Sequence, residues 1–350
     1  MKKLLIAFGL LTALAVHAQN AMPVPAAPTA SSALPALKSS DIPRSTQAGP
    51  PPASGRGIPA PFPADSKLPT LWLIGDSTVR NGTAGDGGNG QWGWGAPLVA
   101  YFDAKKVNVV NRAAGGTSAR SFYNANWKNL VGLIKKGDVV IMQFGTNDGG
   151  NPSTSVGDLK GVGDDTQNVT TRSGNAETVH AFGWYLKQMI KETEAKGATA
   201  VVCSLIPRKA WAPDGHLQRS ADSFGGWAGQ VAKSEKVGFI DLNELIARRY
   251  DGLGKEKVDL LYYPGPSAKN PAGEHVHTGW DGAVINAEIV VSGFKALKDD
   301  PVADYFSERG QAIVAADLSK PAPAPASAPS TATPTASPAA TPAPATPATK

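Results

Sequence analysis

The stretch LPTLWLIGDSTVRNG, which begins at Leu68, places Ser77 just past an apolar run. Asp76 and Ser77 there either cap a following helix, or Ser77 is a nucleophile. An ester hydrolase of the second kind needs a base for the hydroxyl proton, an acid to orient that base, and donors for the oxyanion. Beyond residue 18 the chain has four histidines to supply the base: His180, His216, His275 and His277. His180 opens a strongly helical stretch and reads as structural, and nothing beside His216 in WAPDGHLQRS marks it as a base. In NPAGEHVHTGWDG, Glu274 stands three residues ahead of His277. On a tight loop that spacing lets the acid fold back to Nδ1, leaving Nε2 for Ser77. Asp281, four residues after His277, competes for the same role.

These residues need a scaffold that brings positions 77 and 277 together. Short apolar runs at 70–74, 107–111, 139–144, 200–205 and 238–242 show almost no polar alternation, as expected of parallel strands covered on both faces. Helical patterns at 96–104, 119–135, 178–196, 220–236 and 282–298 alternate with them. The order predicts a three-layer α/β/α sandwich around a central parallel five-stranded sheet, flavodoxin-like in type. Ligand sites of such sheets lie beyond the carboxyl ends of the strands. Ser77 after the first run, Gly115-Gly116 after the second and Gly145-Thr146-Asn147-Asp148 after the third all fall on that rim.

The rest of the 350 residues bound the reading. Lys2, Lys3, the apolar run 4–16 and Val16-His17-Ala18 have the form of a cleavable export signal over 1–18, too short in its apolar part to span a bilayer. Residues 19–66 are rich in Pro, Ala and Ser, and 319–350 in Pro, Ala and Thr. Both read as disordered, which leaves one domain at 67–318. The formal charge of +5 falls to +3 without Lys2 and Lys3, a balance that does not point to nucleic acid. With Cys203 as the single cysteine, an exported domain has no internal disulfide and depends on its core. A bacterial protein, secreted or periplasmic, monomeric and without a membrane anchor after signal removal, is expected. The Asn81 and Asn168 sequons are accordingly expected to carry no glycan.

Taken together, Gly75-Asp76-Ser77-Thr78, Gly116, Asn147 within FGTNDGG and the late acid-x-x-His resemble the four blocks of the GDSL or SGNH hydrolases. GWGAPL, NRAAGGTSARSF, HAFGWYLKQMI and HVHTGWDGAVINAEIVVSGFKAL narrow the resemblance to the rhamnogalacturonan acetylesterases, over most of 68–298. The resemblance implies Ser77 as nucleophile, His277 as base and then acid, and an oxyanion hole from the N–H groups of Ser77 and Gly116 with the Asn147 amide. It also implies an acetylated polysaccharide substrate and no metal or organic cofactor. The chain departs from the family in having Glu274 where an Asp is usual and Thr146 where a His is common.

Thr146, Trp92, Trp94 and Arg120 are candidate substrate contacts, and Arg112, Arg120 and Arg208 candidates for uronate carboxylates. For Trp92, Trp94 and Trp211, packing of loops onto the core is an equal reading. GDGGNG at 85–90 matches a dinucleotide pattern but lies about ten residues from its strand, so it reads as a loop. The acidic loop from Gly157, GDLKGVGDDTQ, reads as solvated surface before a calcium site. A lipase or thioesterase of longer acyl chains, a xylan acetylesterase, and a non-catalytic glycan-binding protein are the alternatives.

Overall fold

The computed structural model describes residues 39–42, 61–80, 87 and 89–319. The expected leader, most of the Pro/Ala/Ser-rich stretch, the Asn81 sequon, half of the 85–90 loop and the tail beyond 319 lie outside the described residues.

Strands β1 (Thr70–Gly75), β2 (Asn108–Asn111), β3 (Val139–Gln143), β4 (Thr166–Thr170), β5 (Ala176–His180), β6 (Thr199–Cys203) and β7 (Gly238–Ile240) form two sheets. The larger is parallel throughout, in the order β2-β1-β3-β6-β7. Its continuous apolar strands follow from what covers it. Leu71, Leu73, Ile141, Val201 and Ile240 enter one core cluster, whereas Trp72, Ile74, Val140, Met142 and Val202 enter another on the opposite face. Successive side chains point to opposite faces, so a strand buried on both has no polar position to offer.

The helices are α1 (Gly95–Leu98), α2 (Ala119–Phe122), α3 (Lys128–Val131), α4 (Phe182–Ala195), α5 (Phe224–Glu235), α6 (Leu242–Leu253), α7 (Lys255–Asp259), α8 (Trp280–Ala296) and α9 (Glu308–Gln311). Residues of α6 and α8 fill the first cluster and those of α4 and α5 the second, giving the three layers. No helix among the described residues is long and apolar enough to cross a membrane.

Three local expectations change. The helix expected at 119–135 is interrupted by a π-turn at Tyr123–Trp127, where Tyr123 Oη and Trp127 Nε1 both donate to Glu192 of α4 at 2.8 Å. The helix expected from 178 starts at Phe182, because Ala176–His180 pairs antiparallel with Thr166–Thr170. Val169 and Val179 are buried while most of their neighbours are exposed, so each strand of the ribbon turns a single residue inward. The last strand stops at Ile240, since Asp241 caps the unanticipated α6 by accepting from Glu244 N at 3.2 Å.

From β1 the chain moves one way to β2 and then returns to β3 on the other side, so the strand order reverses between β1 and β3. A crevice outside the carboxyl ends is expected at such a point. Ser77 follows β1 there, and Asn147 follows β3.

Candidate active site

At the end of β1, Gly75 lets two strands approach closely. A Cβ there would lie 2.5 Å from the Gln143 carbonyl and 2.6 Å from Val79 Cγ2. The chain then turns instead of entering a helix, with Val79 N and Arg80 N donating to Asp76 O at 3.2 and 3.0 Å. The Asp76 carboxylate closes its own turn, accepting from Thr78 N at 2.8 Å and Thr78 Oγ1 at 2.7 Å. Asp76 and Ser77 therefore cap no helix, and the next one, α1, begins at Gly95. This turn holds Ser77 at 7% exposure, its Oγ 2.9 Å from His277 Nε2.

His277 comes from the loop before α8. Glu274 Oε1 accepts from His275 N and Val276 N, both at 2.8 Å, and its Oε2 lies 3.4 Å from His277 Nδ1. That contact is longer than a well-formed hydrogen bond, so the carboxylate acts on the ring chiefly through its charge. Burial pushes the Glu274 carboxyl up, but the two backbone donors and the imidazole outweigh it and hold the group below the usual carboxylate range. Asp281 sits exposed in the first turn of α8, so of the two acids Glu274 is the one against Nδ1.

The histidine loop is tied down on both sides by residues that the sequence did not single out for this. Lys209 N donates to His275 O at 2.8 Å, and the buried Lys209 ammonium donates to Ala272 O and pairs with Asp259, both at 2.9 Å. Across the loop, Trp92 N donates to Thr278 O and Thr278 Oγ1 to Trp92 O, each at 2.8 Å. A lysine in PRKAW carries no local mark of burial, so only the distant Asp259 and Ala272 explain it.

The other two candidate donors are held by one carboxylate. Asp148 Oδ2 accepts from Gly145 N and Oδ1 from Ala119 N, both at 2.8 Å, joining the loop after β3 to the start of α2. Asn147 in that loop uses one Nδ2 hydrogen on Thr117 O at 3.0 Å, leaving the other to the crevice. Gly116 is exposed at φ +76°, with open space where a Cβ would stand. Burial pushes the Asp148 carboxyl up to about 7, and that of Asp158 also rises, by burial and by Asp148 beside it. Asp158 thus belongs to the buried interior, which corrects its reading as solvated surface.

Several candidate substrate contacts are committed elsewhere. Trp94 is fully buried, donating from Nε1 to Gln143 Oε1 at 2.8 Å, and Trp92 packs edge-on against Trp280 with ring centroids 4.8 Å apart. The packing reading holds for both. The Arg120 side chain is 5% exposed and pairs with Glu177 through two bonds of 2.8 and 2.7 Å, with Nη1 on Gly157 O and Pro152 O. The Thr146 hydroxyl is turned inward beside the Asp76 carboxyl and has no contact with solvent. Arg112 lies over the Phe62 ring, 5.5 Å from its centroid. Arg208 is exposed at the rim, with one Nη2 hydrogen on Thr146 O at 2.9 Å. Of the other histidines, His180 lies in β5 stacked on Trp184, and His216 Nδ1 meets Asp251 Oδ2 at 2.9 Å.

Residues 73–278, from within β1 to just past His277, match the GDSL-like lipase/acylhydrolase family. The chain belongs to this family. As a GDSL-like acylhydrolase it is a carboxylic ester hydrolase, and the site described above is built at both ends of the matched segment. Among its relatives, a rhamnogalacturonan acetylesterase of Emericella nidulans is 31% identical over 238 residues, 66% of this chain and 88% of the relative. The probable rhamnogalacturonan acetylesterase YesY of Bacillus subtilis is 28% identical over 228 residues, 65% of this chain and 93% of the relative. The crystal structure of the Bacillus subtilis protein YxiM superposes with a TM-score of 0.51 at 27% identity, over 65% of this chain and 56% of that one.

Proposed function

We propose that this acylhydrolase is an exported serine esterase that removes O-acetyl groups from a plant cell-wall polysaccharide, pectic rhamnogalacturonan in the first place. The observation that carries the mechanism is the 2.9 Å approach of Ser77 Oγ to His277 Nε2 with Glu274 behind the ring. Ser77 Oγ attacks the acetyl carbonyl as Nε2 takes its proton, and the Glu274 charge stabilises the imidazolium so formed. The negative charge that develops on the carbonyl oxygen meets the N–H groups of Ser77 and Gly116 and the free Asn147 amide hydrogen. On collapse the sugar hydroxyl leaves with the proton from Nε2. Water, deprotonated by the same nitrogen, then attacks the acetyl-serine, and acetate departs as the Ser77 hydroxyl is restored.

The polysaccharide assignment rests on likeness to the two relatives named rhamnogalacturonan acetylesterase. Arg208, exposed beside Asn147, adds a cation where an acidic polymer would pass. Acetate release from acetylated rhamnogalacturonan and acetylated xylan, by wild type and Ser77→Ala, tests the reading. Release from the pectic polymer that vanishes in the variant is the expected result. Release from xylan alone would replace the substrate, and glycan binding without release from either would replace the reaction.

A further inference from the structure

A cavity of about 610 Å³ opens between α2, the loop at 154–156 and the turn of the β4–β5 ribbon. Its walls continue the two chain segments that carry the candidate oxyanion donors. Gly116 leads through Ser118, the N-cap of α2, to Arg120, Ser121 and Asn124, and Asn147 leads to the 154–156 loop. Ser118 Oγ donates to Val156 O at 2.5 Å and so fastens one wall to the other.

The third wall is the ribbon, which has little apolar surface with which to hold itself in place. Two-stranded ribbons alone are marginal in water. This one is pinned from β5 by Glu177, which takes both bonds of the largely buried Arg120 and another from Asn124 Nδ2 at 2.8 Å. Burying such a pair yields little net stability compared with an apolar contact, whereas it fixes one geometry. The ribbon is therefore placed, and what it places at the cavity is its turn, Thr171, Arg172 and Ser173.

The charge of that cavity follows from the pairing. Glu177 cancels Arg120, which leaves Arg172 as the uncompensated charge among the lining residues. Arg172 is exposed, and no hydrogen bond or ion pair to it is seen among the described residues. A guanidinium free to present its fork binds a planar carboxylate through two N–H···O bonds. Around it the hydroxyls of Ser121, Thr171 and Ser173 and the Asn124 amide offer donors and acceptors for sugar hydroxyls.

We propose that this cavity is a subsite for a uronate unit neighbouring the acetylated sugar, with Arg172 meeting its carboxylate. The proposal rests on the polysaccharide-esterase reading and deepens it, because it makes an acidic glycan the preferred substrate over a neutral one.

The test is selectivity, the ratio of kcat/KM on an acetylated rhamnogalacturonan oligosaccharide to that on an acetylated xylo-oligosaccharide, for wild type, Arg172→Lys and Arg172→Gln. Losing one charge-assisted carboxylate contact is expected to lower the ratio about tenfold in Arg172→Gln, with an intermediate value in Arg172→Lys. A misfolded variant would lower both activities and leave the ratio alone. An unchanged ratio in a folded Arg172→Gln overturns the subsite. If wild type releases acetate from neither oligosaccharide, the esterase reading has failed, and calorimetry with unacetylated oligogalacturonate decides the subsite separately. Binding that weakens in Arg172→Gln supports it, and absent or Arg172-independent binding overturns it.

Discussion

Ser77 Oγ and His277 Nε2 stand 2.9 Å apart across 200 positions of sequence, joined by two loops that are each over-determined by hydrogen bonds. If the pair acts as one unit, Ser77→Ala and His277→Ala should each lower kcat on the order of 10⁶-fold, and the double variant should be no worse than either. Acetate release at saturating substrate checks this. Multiplicative losses in the double variant would mean that the two side chains act independently.

Glu274 has two tasks that substitution can separate. In Glu274→Gln the remaining Oε1 can still accept from His275 N and Val276 N, so the loop should keep its shape. The amide removes the charge behind Nδ1, and kcat is expected to fall by up to roughly 10⁴-fold in a protein that still folds. Glu274→Ala should lose stability as well. Because the folded carboxyl lies below its ordinary range, its contribution to stability is present above the unfolded pKa and lost as pH falls through the folded one. A pH series of melting temperatures should therefore diverge between wild type and Glu274→Gln in neutral solution and converge in acid.

The Asp148–Asp158 pair has the opposite sign. The Asp158 carboxyl is buried and shares a hydrogen bond with a second carboxyl, Asp148, so the contact requires a proton between them. An unfolded Asp ionises near 3.8, whereas folded Asp148 holds its proton to about 7. Over that interval the folded state binds more protons than the unfolded one, and stability falls as pH rises. Asp158→Asn supplies a permanent donor to Asp148. Urea midpoints at pH 5 and pH 8 should drop across the interval in wild type and drop less in Asp158→Asn, where only the buried Asp148 still titrates, and an equal drop in both would remove the shared proton from the account.

The five strands of the main sheet were legible from a strong local signal, and the pairing of Ser77 with His277 from four blocks standing together in family order, each of them weak alone. Strands buried on both faces are unbroken apolar runs, and chain order then puts residues 77, 116 and 147 on one rim. What was hidden depends on distant partners. TQNVT and AETVH show one buried valine each and pass for loop and helix until they pair with one another. Trp94 belongs to the core because Gln143 waits there for its indole, and Arg120 is occupied because Glu177 lies on a ribbon that the sequence did not disclose. Thr146 took the place of a common family histidine and looked outward in sequence, yet its hydroxyl faces the buried Asp76.

Gly116 and Asn147 can be told apart by how each would fail. Asn147→Ala removes a donor while its neighbour Asp148 keeps Gly145 and Ala119 in place. Its kcat should therefore fall by roughly 10²–10³-fold. KM should change little, because the donor strengthens its bond as the oxyanion forms. Gly116→Ala meets no atom, so any cost arises from the backbone, where φ +76° is unfavourable for a residue with a Cβ by about 1–2 kcal/mol. If the chain relaxes that strain by turning the peptide, the N–H leaves the oxyanion and activity falls together with stability. A Gly116→Ala variant with full activity and reduced stability would show that the peptide had kept its orientation, with strain as the whole effect. Full activity in Asn147→Ala has no such escape and would take the amide out of the oxyanion hole.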